Sequence, residues 1–246
     1  MTPDFLVFLF LGALSGGFIN GLAGFGTALL ALGWWLQIMP PVEAVAIALA
    51  MSVISGVQGV VLVRGAIHWP NLGRFLLPAL LGVPVGIQLL ATVDPGFLKK
   101  VVAAFLILYG GFFTFRRELP NLLRPTPVLD MAVGFLGGVL GAAAGLSGAL
   151  PTMWCSLRAW TKHQQRAILQ PFNVIILGIS ALLLALKGAY DMKVLIAIGV
   201  ALPVTLASAQ VGIMVFKRLE DDKFRKLLIA LLFTSGIVLM IREMVA

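Results

Sequence analysis

The sequence predicts an all-α polytopic membrane protein with two inverted repeats, each a broken-helix hairpin followed by three transmembrane helices. Composition, the spacing of apolar runs and an internal repeat carry that prediction. Of 246 residues, 60% are hydrophobic and 11% are charged, and mean hydropathy is +1.05. A soluble domain runs roughly 45–50% apolar and about 25% charged. Disorder, a disulfide scaffold and a soluble enzyme are therefore all disfavoured. Apolar runs of about 20 residues recur along the chain, the length at which a helix crosses a bilayer.

Phe5–Ile38 is the first apolar block, and it is too long for one element. About 34 helical residues extend roughly 50 Å, against a hydrocarbon core of about 30 Å. Its centre carries Gly16, Gly17, Gly21, Gly24 and Gly26. It reads as a hairpin with one arm near 5–22, a tip near 23–26 and a second arm to about 38. Spans at Val42–Val63, Leu72–Ala91 and Phe97–Phe115 follow. Arg116–Pro127 holds three arginines and three prolines and reads as a linker. The chain thus divides into a first repeat, 1–117, a linker, 118–127, and a second repeat, 128–246. The second repeat has hairpin arms near 128–143 and 148–160, then spans near 166–186, 192–215 and 224–243.

The repeat is visible residue by residue. Gly16, Gly17, Gly24 and Ala28 match Gly137, Gly138, Gly145 and Ala149 at a constant offset of 121. Arg64-Gly65-Ala66 matches Lys187-Gly188-Ala189 at 123, and Gly82 with Gly86 matches Ser208 with Gly212 at 126. Phe97 with Lys99 matches Phe224 with Lys226 at 127. Five segments per half is odd, so the two copies insert in opposite directions. Inverted repeats with broken helices are a transporter architecture. Charge agrees: the hairpin reading puts 13 of the 18 Lys and Arg residues on one side, whereas single spans divide them 8 to 10. Basic loops face the cytoplasm, so both termini are expected in the periplasm. The net charge of +8 belongs to those loops, and no nucleic-acid stripe exists.

The hairpin tips are the sharpest chemical feature. Asn20, Gly24, Phe25, Gly26 and Thr27 form one; Gly145, Leu146, Ser147 and Gly148 form the other. Non-helical backbone within a bilayer survives only where protein or a water-filled cavity covers it. Each second arm begins at a tip with free N–H groups and a positive dipole end. Two such N-termini meeting near the midplane make an anion site without a formal charge. Thr27 and Ser147 add hydroxyl donors. The competing reading is that the glycines simply let helices pack closely.

All ten Asp and Glu residues fall at segment ends or in loops. A cation site or proton relay normally needs one inside the membrane, so cation transport is disfavoured. One cysteine and two histidines leave no set for a metal site or cofactor, and Ser147 lacks a base, which speaks against an enzyme. Gln170 and Asn173 share a helical face beside Pro171, as substrate lining or as interhelical glue. Gln58, Gln88 and Gln210 are weaker polar candidates. Arg64 and Lys187 occupy equivalent places in the two repeats, as mouths that guide an anion or as snorkelling anchors. The five tryptophans mostly suit interfacial belts.

The two glycine motifs, Gly16-Gly17 through Gly24-Phe25-Gly26-Thr27 and Gly137-Gly138 through Gly145-Leu146-Ser147-Gly148-Ala149-Leu150-Pro151, resemble those of the TauE/SafE sulfite-exporter family. So do Arg64-Gly65-Ala66-Ile67 and Lys187-Gly188-Ala189-Tyr190. The resemblance covers essentially the entire chain. It implies a bacterial inner-membrane permease, of about eight spans, for sulfite or a related organosulfonate. The proline that follows the glycine motif is Pro151 in the second copy but Leu30 in the first, so the two tips are expected to be unequal. The expected function is export of a small sulfur-containing anion by alternating access around a midplane site. Its partners are that anion, the lipid bilayer and a second copy in a homodimer, with no cofactor. Import or channel passage of another organic anion, or a non-transporting scaffold subunit, is the alternative.

Overall fold

The computed structural model describes residues 2–92, 126–158 and 160–245, with isolated positions at 100, 103, 104, 107 and 111. Every regular element among them is helical. The first half holds α1 (Pro3–Ala23), α2 (Thr27–Trp35), α3 (Pro41–Val63), a 3₁₀ turn at Arg64–Ala66, and α4 (Trp69–Thr92). The second half holds α5 (Pro127–Ala144), α6 (Ala149–Ser156), α7 (Lys162–Leu186), α8 (Met192–Arg218) and α9 (Asp221–Val245). Most of the expected span at Phe97–Phe115 and of the expected linker lies outside the described residues.

Local chemistry places the helix starts. Proline opens α1, α3 and α5, where its missing N–H costs nothing. The Thr2 hydroxyl accepts from the Phe5 N–H, and the Asp191 carboxylate from the Val194 N–H. Thr161 and Gln164 form a reciprocal capping box at α7. Pro171 lies inside α7, which runs unbroken through it.

Among the described residues, six helices are long and apolar enough to cross a membrane: α1, α3 with its 3₁₀ turn, α4, α5, α7 and α8. The hairpins appear as expected, with turns at 24–26 and 145–148. Their second arms are shorter than expected. α2 stops at Trp35 rather than 38, and α6 at Ser156 rather than 160. Nine and eight residues extend only about 12–14 Å, less than half of an about 30 Å hydrocarbon core. Neither second arm is therefore long enough to span that core by itself.

Packing joins the two halves. α1 lies along α8, α4 along α5, and α3 against α7 at the centre. The first two contacts are backbone-close because glycine leaves no side chain between the helices. A Cβ at Gly138 would overlap the Ala79 carbonyl, and one at Gly86 the Val139 carbonyl. At the other seam, a Cβ at Gly17 would overlap the Thr205 carbonyl, and one at Gly212 the Phe18 carbonyl. Leu77, Leu81 and Val85, spaced by four on α4, stay exposed and present an apolar face suited to lipid.

Trp35 departs from the interfacial reading. It is buried, its indole N–H donates to the Leu9 carbonyl at 3.1 Å, and Gly12 supplies the slot that holds its ring. At the α7–α8 turn the Tyr190 hydroxyl donates to the Ala46 carbonyl at 3.0 Å. Burial pushes that hydroxyl's pKa up to about 12, so it remains a donor.

Candidate functional site

The tips are built on left-handed glycines. Gly24 ends α1 at φ +85°, its N–H donating to Asn20 at 2.8 Å, and Gly26 opens α2 at φ +95°. Gly145 ends α5 at φ +70°, its N–H donating to Gly141 at 2.8 Å. A residue with a Cβ is strained in this conformation. The tips are unequal, as expected, since Gly148 opens α6 at φ −81°. No side chain caps α2 or α6. The Ala149 N–H is taken by Leu146, which leaves α6 fewer free donors than a regular helix start.

The structure brings the two tips together. A Cβ at Gly145 would stand 2.8 Å from the Ala28 Cβ, and one at Gly148 would stand 2.5 Å from the Phe25 Cβ. Phe25 and Leu146 are buried at this contact.

α7 passes behind both tips and touches each through one of the expected residues. Gln170 serves the first: its Nε2 donates to the Gly56 carbonyl at 3.1 Å, and its Oε1 lies 2.6 Å from where a Gly24 Cβ would be. Asn173 serves the second, its Oδ1 accepting from the Ser147 hydroxyl. Asn20 joins α1 to α3, donating to the Ser52 carbonyl at 3.1 Å and the Ser55 hydroxyl at 2.7 Å. Asn20 Oδ1, Thr27 Oγ1, Ser52 Oγ and Asn173 Nδ2 are buried without a hydrogen-bond partner. A buried polar group left unmade costs about 1–3 kcal/mol, so four beside one pair of tips mark a place suited to a polar ligand.

Other candidates lie elsewhere. Arg64 and Lys187 are exposed at their turns, away from the tips. Gln88 is exposed, while Gln210 donates to Gln58 at 2.8 Å and links α8 to α3.

Sequence reasoning missed Arg166, reading it as one more loop cation. It is 1% exposed, inside the second turn of α7. Its Nη1 donates to the Leu22 carbonyl at 3.1 Å and its Nε to Gln170 Oε1 at 3.2 Å. Its guanidinium carbon sits 4.3 Å from the centre of the Phe216 ring. Arg166, Gln170 and Asn173 are spaced by four and three on one helical face, a signal that the polar run before it obscured.

Nearly the whole chain, residues 8–239, matches the family model described as sulfite exporter TauE/SafE. The chain belongs to the TauE/SafE sulfite exporter family. No curated protein matches the sequence. Membership makes this a membrane transporter, in keeping with its apolar helices.

One further cluster in this TauE/SafE chain corrects the reading of its loop charges. Asp130, read as a segment-end residue, and Arg158, counted among the basic residues of one side, form a buried ion pair at 2.5 Å with side chains 4% and 9% exposed. Asp130 also accepts from the Trp154 indole N–H at 2.6 Å, and Arg158 donates to Thr126 at 2.8 Å. The cluster ties the start of α5 to the end of α6 and closes the second hairpin at its base.

Proposed function

We propose that this TauE/SafE transporter exports a small sulfur-containing oxyanion, sulfite or an organosulfonate, by alternating access around a site at the two tips. The observation that carries this reading is the meeting of two uncapped helix starts with four buried, unpaired polar atoms beside them. Amide N–H groups at a helix start suit an oxyanion, and Thr27 Oγ1 and Asn173 Nδ2, both without a partner, add neutral donors around it, beside Gln170 and Ser147. The backbone N–H groups of Phe25 to Thr27 and of Ser147 and Gly148 are the nearest such groups, since those of Gly24, Gly145 and Leu146 already donate to carbonyls of α1 and α5.

Two repeats inserted in opposite directions fit the packing. The Gly138–Ala79 contact maps onto Gly17–Thr205, and Gly86–Val139 onto Gly212–Phe18, at the same offsets of 121 and 126 that relate the sequence motifs. Loop charge orients the chain in the bacterial inner membrane with both termini periplasmic. Cysteine-accessibility labelling of intact cells checks this: the Arg116–Pro127 and Lys217–Lys226 loops are expected to react only after permeabilisation. Reaction of those loops from outside reverses the orientation.

Uptake of radiolabelled sulfite into liposomes holding the purified chain tests the function, beside a thermal-shift screen against anions, since a ligand of the folded state raises its apparent stability. Gln170→Ala and Asn173→Ala are each expected to lower transport at least tenfold, and Gln88→Ala, on an exposed face, less than twofold. Full transport in both tip variants, with normal expression, assigns the pair to helix packing.

A further inference from the structure

Among the described residues, no carboxylate pairs with the charge of Arg166. Its three partners, the Leu22 carbonyl, the Gln170 amide oxygen and the Phe216 ring, are all neutral. The buried carboxylate Asp130 is already paired with Arg158. Arg166 Nη2, with two N–H groups, is buried and has no acceptor. Removing a guanidinium from water costs several kcal/mol. The face of Phe216 and the negative end of α1 each return only a fraction of that. A strut between α7 and Leu22 needs only a neutral donor, such as an amide, and would avoid that cost. A full positive charge is useful where a negative ligand arrives and leaves.

Its position fits that use. The Arg166 stem lies against Gly24, with Cγ 3.4 Å from where a Cβ there would be, so the guanidinium is anchored to the first tip. Phe216 lies near the end of α8 and covers it. The Phe216 and Leu219 carbonyls are held by the Lys162 ammonium from the start of α7.

We propose that Arg166 is the charged contact of the transported oxyanion. Nη2 binds one ligand oxygen when α7 and α8 part at Phe216, and Gln170 fixes the guanidinium plane through Nε. The ligand class is a sulfite-like or sulfonate-like anion, for which charge-assisted N–H bonds are strong. This rests on the anion-transport reading and adds to it a residue and a direction of approach, from the end of the bundle where α7 begins.

The test compares full-length wild type, Arg166→Gln, Arg166→Lys and Gln170→Glu in liposomes, with sulfite as the probe for uptake and for thermal shift. Gln170→Glu is informative because it places a carboxylate beside Arg166 and neutralises the site from within, although it gives up the Nε2 bond to the Gly56 carbonyl. Its half-saturating sulfite concentration is expected to rise at least tenfold. Arg166→Gln is expected to lose the sulfite response, and Arg166→Lys to keep it at roughly tenfold weaker affinity. Half-saturation within twofold of wild type in Arg166→Gln or Gln170→Glu overturns the proposal, as does equal loss in Arg166→Gln and Arg166→Lys. Should those variants unfold, Phe216→Leu uncovers the guanidinium without removing its hydrogen bonds. A shift of threefold or more in its half-saturation supports the assignment, and wild-type values overturn it. Wild type that takes up no sulfite overturns the transport reading itself, whereas wild-type uptake with unaltered variants overturns only the role of Arg166.

Discussion

Leucine at Gly24 or Gly145 is expected to abolish transport, and no other single substitution at the tips should do more damage. Two costs coincide at each position. The left-handed backbone, φ +85° at Gly24 and +70° at Gly145, costs a residue with a Cβ about 1–2 kcal/mol. The new side chain then meets Gln170 Oε1 at 2.6 Å in one case and the Ala28 Cβ at 2.8 Å in the other. Overpacking of this kind costs about 1–3 kcal/mol, and it forces apart the surfaces that form the site. Gly199, on an exposed face of α8 with nothing within 4 Å, is the control. Gly199→Leu should express and transport as wild type. Sulfite uptake normalised to protein in the liposome checks all three, and active Gly24→Leu and Gly145→Leu variants would remove the tips from the pathway.

Asp130→Ala should be the most destabilising change outside the tips. It leaves Arg158 buried beside Trp154 and Trp160 without its carboxylate. Breaking a buried pair from one side costs about 3–5 kcal/mol. Replacing both partners, as Asp130→Leu with Arg158→Met, should recover most of the loss, because the desolvation of both charges disappears together. Unfolding in SDS, followed for the single and double variants, reads the difference. Equal stability of Asp130→Ala and wild type would show that the hairpin does not depend on this pair.

The hairpins were legible because length is a hard constraint. A 34-residue apolar block cannot be one span, and glycines at its centre show where it turns. The structure places those turns within a residue or two of the expected tips. The burial of Arg166, Asp130, Arg158 and Trp35 was not legible for a shared reason. Each sits near the end of an apolar run, where a polar or aromatic residue looks like a loop or interface residue. Their burial depends on partners the local sequence does not show. Leu22 is 144 positions from Arg166, and the slot for Trp35 exists only because Gly12, on the preceding helix, lacks a side chain. Gln170 and Asn173 were found because proline and two amides are conspicuous inside an apolar run. Their assignment to separate tips follows from the course of α7 between them.

The seam between α1 and α8 has a consequence for how the protein is made. Gly17 and Gly21 have their closest neighbours at Thr205, Ser208 and Ala209, so α1 packs on a helix that is made much later. At about 5–20 residues per second, roughly 190 further residues take about 10–40 s to synthesise. Through that interval the small-residue face of α1 is in the bilayer without its native partner. Contacts this distant in sequence also slow the final assembly. A chaperone or insertase that shields a glycine-rich helix face should therefore be needed before the Thr205–Gly212 stretch arrives, and dispensable afterwards.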